Sequence, residues 1–285
     1  MGERDRSVFL AGNRVGVLLV HGLGGTPIEL RSIARGLSAR GFTVACCQLA
    51  GHCASEADLL ATGWVDWYRS VEAALSHLAQ RCTTIVAGGL SLGAVLALRL
   101  AALNPTRVHG LALFAPTLWY DGWSIPWYRF LLKMFINTPV AQRYRFVERE
   151  PYGIKDARIR AVVAGAMLSG RNDEAGIAHT PSRSIRELWR LVARVKPDLP
   201  TIRVPTLIVQ ARDDDVSALS NAIYLQRRLG GLVECVVLDD SYHLVTIDRQ
   251  RDLVIDRSAD FIAFVARKAG HADGDIMEQP GVAAE

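Results

Sequence analysis

The sequence predicts an α/β fold: a mostly parallel, twisted sheet with helices on both faces and an inserted helical cap. Three observations predict it: apolar runs that recur along the chain, amphipathic stretches between most of them, and one long interval in which the alternation stops. The runs are Val15 to Val20, Phe42 to Gln48, Thr83 to Ala87, Val108 to Phe114, Val204 to Gln210 and Leu232 to Leu238. They are near-continuous rather than alternating, as strands covered on both faces must be. Between them, Glu29 to Arg40 sets Leu30, Ile33, Ala34 and Leu37 on one helical face, and Val65 to Leu78 and Val216 to Leu229 repeat that spacing. Right-handed crossovers then place helices on both sides of the sheet, and sites in such sheets gather at the carboxyl ends of strands.

The alternation breaks between Thr117 and Pro200, too long an interval for an ordinary loop and rich in helix-like patches and aromatics. The expected organisation is therefore a core in two parts, 1–116 and 201–269, a cap over 117–200, and a disordered, polar, Gly-rich tail over 270–285. Trp119, Tyr120, Trp123, Trp127, Tyr128 and Phe130 crowd the start of the cap. They can pack it onto the core or line a substrate pocket, and both roles are compatible; Trp119, Trp123 and Trp127 are the candidate substrate contacts.

With 285 residues and half its side chains apolar, the chain can bury a large core. No apolar stretch approaches bilayer-spanning length, and the charged N-terminus lacks the apolar segment of a signal peptide. Five cysteines, with Cys46 and Cys47 adjacent on a strand, argue for reduced thiols and a cytoplasmic protein. The net charge of +4 is small, and scattered arginines give nucleic-acid binding little support. Arg183, Arg186, Arg190 and Arg194 recur roughly a helical turn apart, as a solvated face or as a basic rim that attracts acidic substrates or an anionic membrane surface.

The chemistry centres on Gly89-Leu90-Ser91-Leu92-Gly93, between an apolar β-branched run and the helix-forming stretch Ala94 to Leu103. A strand, a sharp turn and a helix lift a serine hydroxyl above the sheet, and the glycines let the strained turn pack closely. Taken alone the motif is weak. A serine also needs a base, and the base a partner that fixes its tautomer. After the strand ending at Gln210 comes Asp213-Asp214-Asp215, and after the strand ending at Leu238 comes Asp239-Asp240-Ser241-Tyr242-His243. Ser, Asp, His, each past its own strand, is a strong conjunction.

On these residues the chain resembles the α/β-hydrolases, most closely bacterial carboxylesterases and monoacylglycerol-lipase-like serine hydrolases. The resemblance runs from Val15 to about Ala269, most specifically in His21 to Pro27, Gly89 to Gly93, Gln210 to Val216 and Ser241 to Asp248. It implies Ser91 as nucleophile, His243 as base and Asp214 as acid, the last because the family sets the acid two residues before the apolar position held by Val216. Asp213 and Asp215 are then solvated loop charges or residues favouring a helix N-terminus, and Asp239 and Asp240 are outside candidates. The resemblance also implies an oxyanion hole built from the backbone amides of Leu23 and Leu92.

His21 reads as a structural hydrogen-bonder. His52 lies in LAGHC, where relatives usually carry Pro and Gly in place of Ala50 and Cys53. His77, His109 and His179 lack metal-ligand spacing, so no metal and no cofactor are expected. A dinucleotide site fails because Pro27 stands where the last glycine of that motif belongs. The implied activity is hydrolysis of carboxylic esters with an apolar acyl or alcohol group. The same triad serves thioesterases, lactonases, peptidases and acyltransferases, and a non-catalytic binder of this fold is the remaining alternative.

Overall fold

A computed structural model of the protein describes residues 5–127, 136, 138, 143–172 and 176–277. A seven-stranded sheet runs in the order β1-β3-β2-β4-β5-β8-β9, from β1 (Val8–Leu10), β2 (Val15–Val20), β3 (Thr43–Cys47), β4 (Thr84–Leu90) and β5 (Gly110–Phe114) to β8 (Thr206–Ala211) and β9 (Val233–Leu238). Within this sheet only β1 is antiparallel; the other six strands pair in parallel, with Val20 beside Gly89 and Leu90 beside Phe114 in register. The three-residue edge strand β1 is too short to leave a periodic signal in the sequence.

Alternate strand residues feed two separate cores. Leu18, Val20, Ala45 and Cys47 join α3 (Trp64–Ala79), α4 (Leu92–Leu103) and α7 (Leu219–Arg228) on one face. Val17, Leu19, Val44 and Cys46 join α1 (Arg31–Ser38) and α8 (Arg251–Met277) on the other. Cys46 and Cys47 therefore belong to opposite faces and cannot bridge; burial raises both thiols, that of Cys47 to about 12. The segment that begins at 270 starts inside α8, and residues 278–285 lie outside the described residues.

Element ends differ from the sequence reading where side chains claim backbone amides. The expected helix from Glu29 opens instead as a 3₁₀ turn, Pro27–Leu30, capped by the Thr26 hydroxyl, and α1 begins at Arg31. The helix expected from Val216 begins only at Leu219, because Val216 and Ser217 give their N–H groups to Asp214. A short helix α2 (Glu56–Ala61) was not expected, though its capping box of Ser55 and Asp58 is legible in the sequence.

Between β5 and β8 lie a two-stranded ribbon, β6 (Arg145–Val147) against β7 (His179–Pro181), and helices α5 (Ala157–Leu168) and α6 (Ser182–Val195). Ile185, Leu188, Leu191, Val192 and Val195 make the buried face of α6. Arg183, Arg190 and Arg194 are exposed, and Arg186 is half-buried. Tyr128 and Phe130 lie outside the described residues.

Candidate active site

Ser91 stands alone between the end of β4 and the start of α4, with φ 55° and ψ −112°, a conformation side-chain-bearing residues rarely adopt. The surrounding packing enforces it. A Cβ on Gly93 would lie 2.0 Å from the carbonyl oxygen of Val20, and one on Gly89 would lie 2.3 Å from the same atom. The turn thus presses against β2 so closely that neither position admits a side chain. Leu92 opens α4, so its N–H is one of the donors a helix leaves without an internal partner. Leu23 follows β2 on the opposite wall, and both Leu23 and Ser91 line one cavity of about 1390 Å³.

His243 and Asp214 meet across the ends of β9 and β8. The imidazole Nδ1 lies 2.9 Å from Asp214 Oδ2 and 3.0 Å from Oδ1, with both side chains buried. The carboxylate is held in turn by the N–H groups of Val216 and Ser217 and by the Gln210 side-chain amide at 2.7 Å. Burial alone would favour neutral imidazole. The facing Asp214 carboxylate, with Asp215 and Glu29, outweighs it and leaves the pKa of His243 raised. Such an arrangement orients Nδ1–H toward the carboxylate and leaves Nε2 as the basic atom.

Ser91 Oγ donates to Thr117 Oγ1 at 3.0 Å, and Thr117 lies 3.2 Å from Ser217 Oγ. A chain of hydroxyls therefore joins the serine to the turn that carries Asp214. Thr117 was not singled out in the sequence, where nothing about one threonine after Pro116 marks it.

Asp215 is neither a solvated loop charge nor a residue of a helix N-terminus, the two roles the sequence suggests. It is 3% exposed, and its carboxylate accepts the N–H of Gly153 at 3.1 Å and that of His243 at 3.3 Å. Burial raises its pKa against the pull of His243. Asp213 is exposed, as are Asp239 and Asp240, which pair with Arg212 and with Lys155 and Arg249. Asp248, buried, accepts the N–H groups of Tyr242, Lys155 and Asp156, a second tie between the His243 loop and the segment before α5.

His21 donates from Nδ1 to Gly22 O and accepts the Leu49 N–H at Nε2. His52 packs edge-on between the rings of His21 and Trp67. Burial drives His21 down to about 3 and His52 to about 4, so both are neutral props beneath the loop after β2.

The cavity is lined by apolar side chains such as Leu118, Val163, Met167, Ile185 and Trp189, with Glu29, Glu148, Arg149 and Lys196 among its ionisable groups. Trp119 lines it, its indole N–H shared between Asp121 and Ser220. Trp123 and Trp127 depart from the expectation and are not among its lining residues. The Trp123 N–H is committed to the carbonyl of Asp213 and its ring to Tyr242, while Trp127 is 81% exposed. Among the described residues no group of three or more His, Cys, Asp or Glu could hold a metal ion, and no helix is long and apolar enough to cross a membrane.

Residues 12–250 match the family described as serine aminopeptidase, S33. The chain is 32% identical over 250 residues to the thermostable monoacylglycerol lipase of Bacillus sp. (strain H-257), covering 87% of this chain and 90% of that one. It is 27% identical to a carboxylesterase of Bacillus subtilis (strain 168), covering 86% and 91%. Among solved structures, one from the metagenome-derived lipolytic enzymes LipS and LipT superposes with a TM-score of 0.77 at 28% identity, covering 90% of this chain and 96% of the other. The monoacylglycerol lipase of Paleococcus ferrophilus, at 16% identity, shares the fold with a TM-score of 0.74 over 92% of this chain and all of that one. By sequence and by architecture alike, the chain belongs to the serine aminopeptidase S33 family of α/β-hydrolases, and it is a hydrolase.

Proposed function

We propose that this protein is a serine hydrolase of carboxylic esters bearing an apolar acyl or alcohol group, acting through Ser91, His243 and Asp214 and a covalent acyl-enzyme. The observation that carries this reading is the buried Asp214–His243 pair, 2.9 Å apart, whose histidine lines the same cavity as a serine held in a strained turn. Ser91 turns from Thr117 to His243, gives up its proton to Nε2 and attacks the ester carbonyl. The amides of Leu23 and Leu92 stabilise the oxyanion, an effect worth several kcal/mol. The imidazolium, held by Asp214, returns the proton to the leaving alcohol. The neutral imidazole that remains takes a proton from water as the water attacks the acyl-enzyme, and the second tetrahedral intermediate collapses to acid as that proton passes to the Ser91 oxygen.

The lipase and carboxylesterase activities of the two Bacillus relatives support an ester as the substrate. Apolar lining supports an apolar acyl or alcohol group, and the segment 117–200, which supplies much of that lining, is proposed as the cap that selects it. The free thiols of Cys46, Cys47, Cys82 and Cys235 support a reducing, cytoplasmic setting. The test is a hydrolysis screen over p-nitrophenyl esters of increasing acyl length, with thioesters and lactones beside them, together with labelling by a fluorophosphonate. Labelling at Ser91 and turnover of oxygen esters are expected. Folded protein that resists the probe and turns over none of these substrates overturns the proposal, and preference for a thioester or lactone reassigns the leaving group.

A further inference from the structure

Glu29 is a half-buried ionisable group on the cavity wall that the triad mechanism does not use. It is the third residue of the 3₁₀ turn after β2, and its side chain bends back over the preceding loop, where Oε2 accepts the N–H of Gly22 at 3.1 Å. A Cβ on Gly25 would lie 2.0 Å from Glu29 Oε1, so the carboxyl fills the space that the glycine leaves. A Cβ on Gly22 would lie 3.5 Å from Oε2 and 3.7 Å from Ser91 Cβ, so the carboxyl and the serine both border the space that the missing Gly22 side chain leaves. The main chain of the same residue reaches the opposite wall. Thr246, three residues beyond His243, donates its hydroxyl to Glu29 O at 2.7 Å.

The ionisable groups that bear on this carboxyl come from two other elements: His243 from the loop after β9 and Glu148 from the strand end beyond β6. His21, at the start of the same loop, is held neutral. Burial pushes Glu29 up to about 7, the Gly22 N–H and His243 draw it down, and Glu148 adds to the rise.

We propose that Glu29 is a positioning residue of the acyl-transfer site: its carboxyl holds the Gly22–Gly25 loop against Ser91, its carbonyl holds the loop that carries His243, and its charge bears on that imidazole. This rests on the reading of Ser91, His243 and Asp214 as a catalytic triad. Glutamine keeps an acceptor for the Gly22 N–H and removes the charge, whereas alanine removes both. The two substitutions separate the roles.

The experiment compares Glu29→Ala and Glu29→Gln in kcat, KM and the pH profile of kcat/KM on a p-nitrophenyl ester. It also follows the His243 ring by NMR in Ser91→Ala and Ser91→Ala/Glu29→Gln. Glu29→Ala should lower kcat about tenfold or more with KM nearly unchanged, and Glu29→Gln should recover most of that loss. The acid limb of kcat/KM, and the imidazole titration itself, should move to lower pH by roughly half a unit in the glutamine variants. Should Glu29→Ala not fold, the glutamine pair still decides. Wild-type kcat in Glu29→Ala, or an unmoved His243 titration in Ser91→Ala/Glu29→Gln, overturns the proposal. Failure of the wild-type enzyme to hydrolyse esters or to label with a fluorophosphonate would instead sink the triad reading, and the titration in the Ser91→Ala background would still report on Glu29.

Discussion

Asp215 offers a test in which burial and solvation lead to opposite outcomes. A solvated loop charge replaced by alanine changes stability by no more than about 0.5 kcal/mol. The structure instead gives Asp215 two backbone donors, Gly153 N–H at 3.1 Å and His243 N–H at 3.3 Å, with almost no access to water. Alanine strands both donors at about 1–3 kcal/mol each, partly offset because a desolvated carboxylate is also removed, so a net loss of roughly 2–4 kcal/mol is expected. Asparagine can serve one donor and should cost about half as much. At about 2–4 °C per kcal/mol for a chain of this size, Asp215→Ala should lower Tm by roughly 5–15 °C. Because one stranded amide belongs to His243, kcat should fall about tenfold as well. Thermal unfolding followed by circular dichroism and ester hydrolysis on the same preparation measure both effects. A variant with unchanged Tm and kcat would refute the view that this carboxylate anchors the histidine loop.

Ser91→Ala should abolish at least about three orders of magnitude of kcat while leaving Tm near the wild-type value, and Asp214→Asn should cost about 10⁴ by presenting the wrong donor to His243. Gly93→Ala, whose new methyl would meet Val20 O at 2.0 Å, should give little or no folded protein, as expression and gel filtration would show. His21 and His52 should stay neutral from pH 8 down to pH 5, detectable as ¹⁵N shifts of imidazoles that do not titrate. Their folded-state pKa values lie below the unfolded value of 6.5, so their contribution is intact above that pH. It is lost as pH falls toward 3–4, at about 1.4 kcal/mol per unit for each. Glu29, raised toward 7, runs the other way between pH 7 and 4.5, so unfolding midpoints in Glu29→Gln should fall more steeply with acid than in the wild type.

The parallel sheet was legible because strands covered on both faces read as unbroken apolar runs, and β2 matches its run residue for residue. Ser91, Asp214 and His243 were legible because each lies just past such a run, in an order that a sheet can bring to one edge. What stayed hidden depends on where a side chain turns within irregular backbone. Among Asp213, Asp214 and Asp215 only the family spacing before Val216 singles out the second; that the turn exposes the first and buries the third against Gly153 has no signal in the letters. Glu29 fitted the polar face of an amphipathic helix, but the 3₁₀ turn rotates it inward. Trp123 and Trp127 sit in an aromatic cluster whose composition says nothing about which rings face the cavity.

Trp123 bridges two loops on the outer side of the molecule, its N–H on the carbonyl beside Asp214 and its ring against the residue before His243. A fluorophore thereby sits at the junction where Asp214 and His243 meet. Emission difference spectra between the wild type and Trp123→Phe would isolate its signal from the other indoles. That signal would let a stopped-flow instrument watch the junction tighten or part during a single turnover without any attached dye.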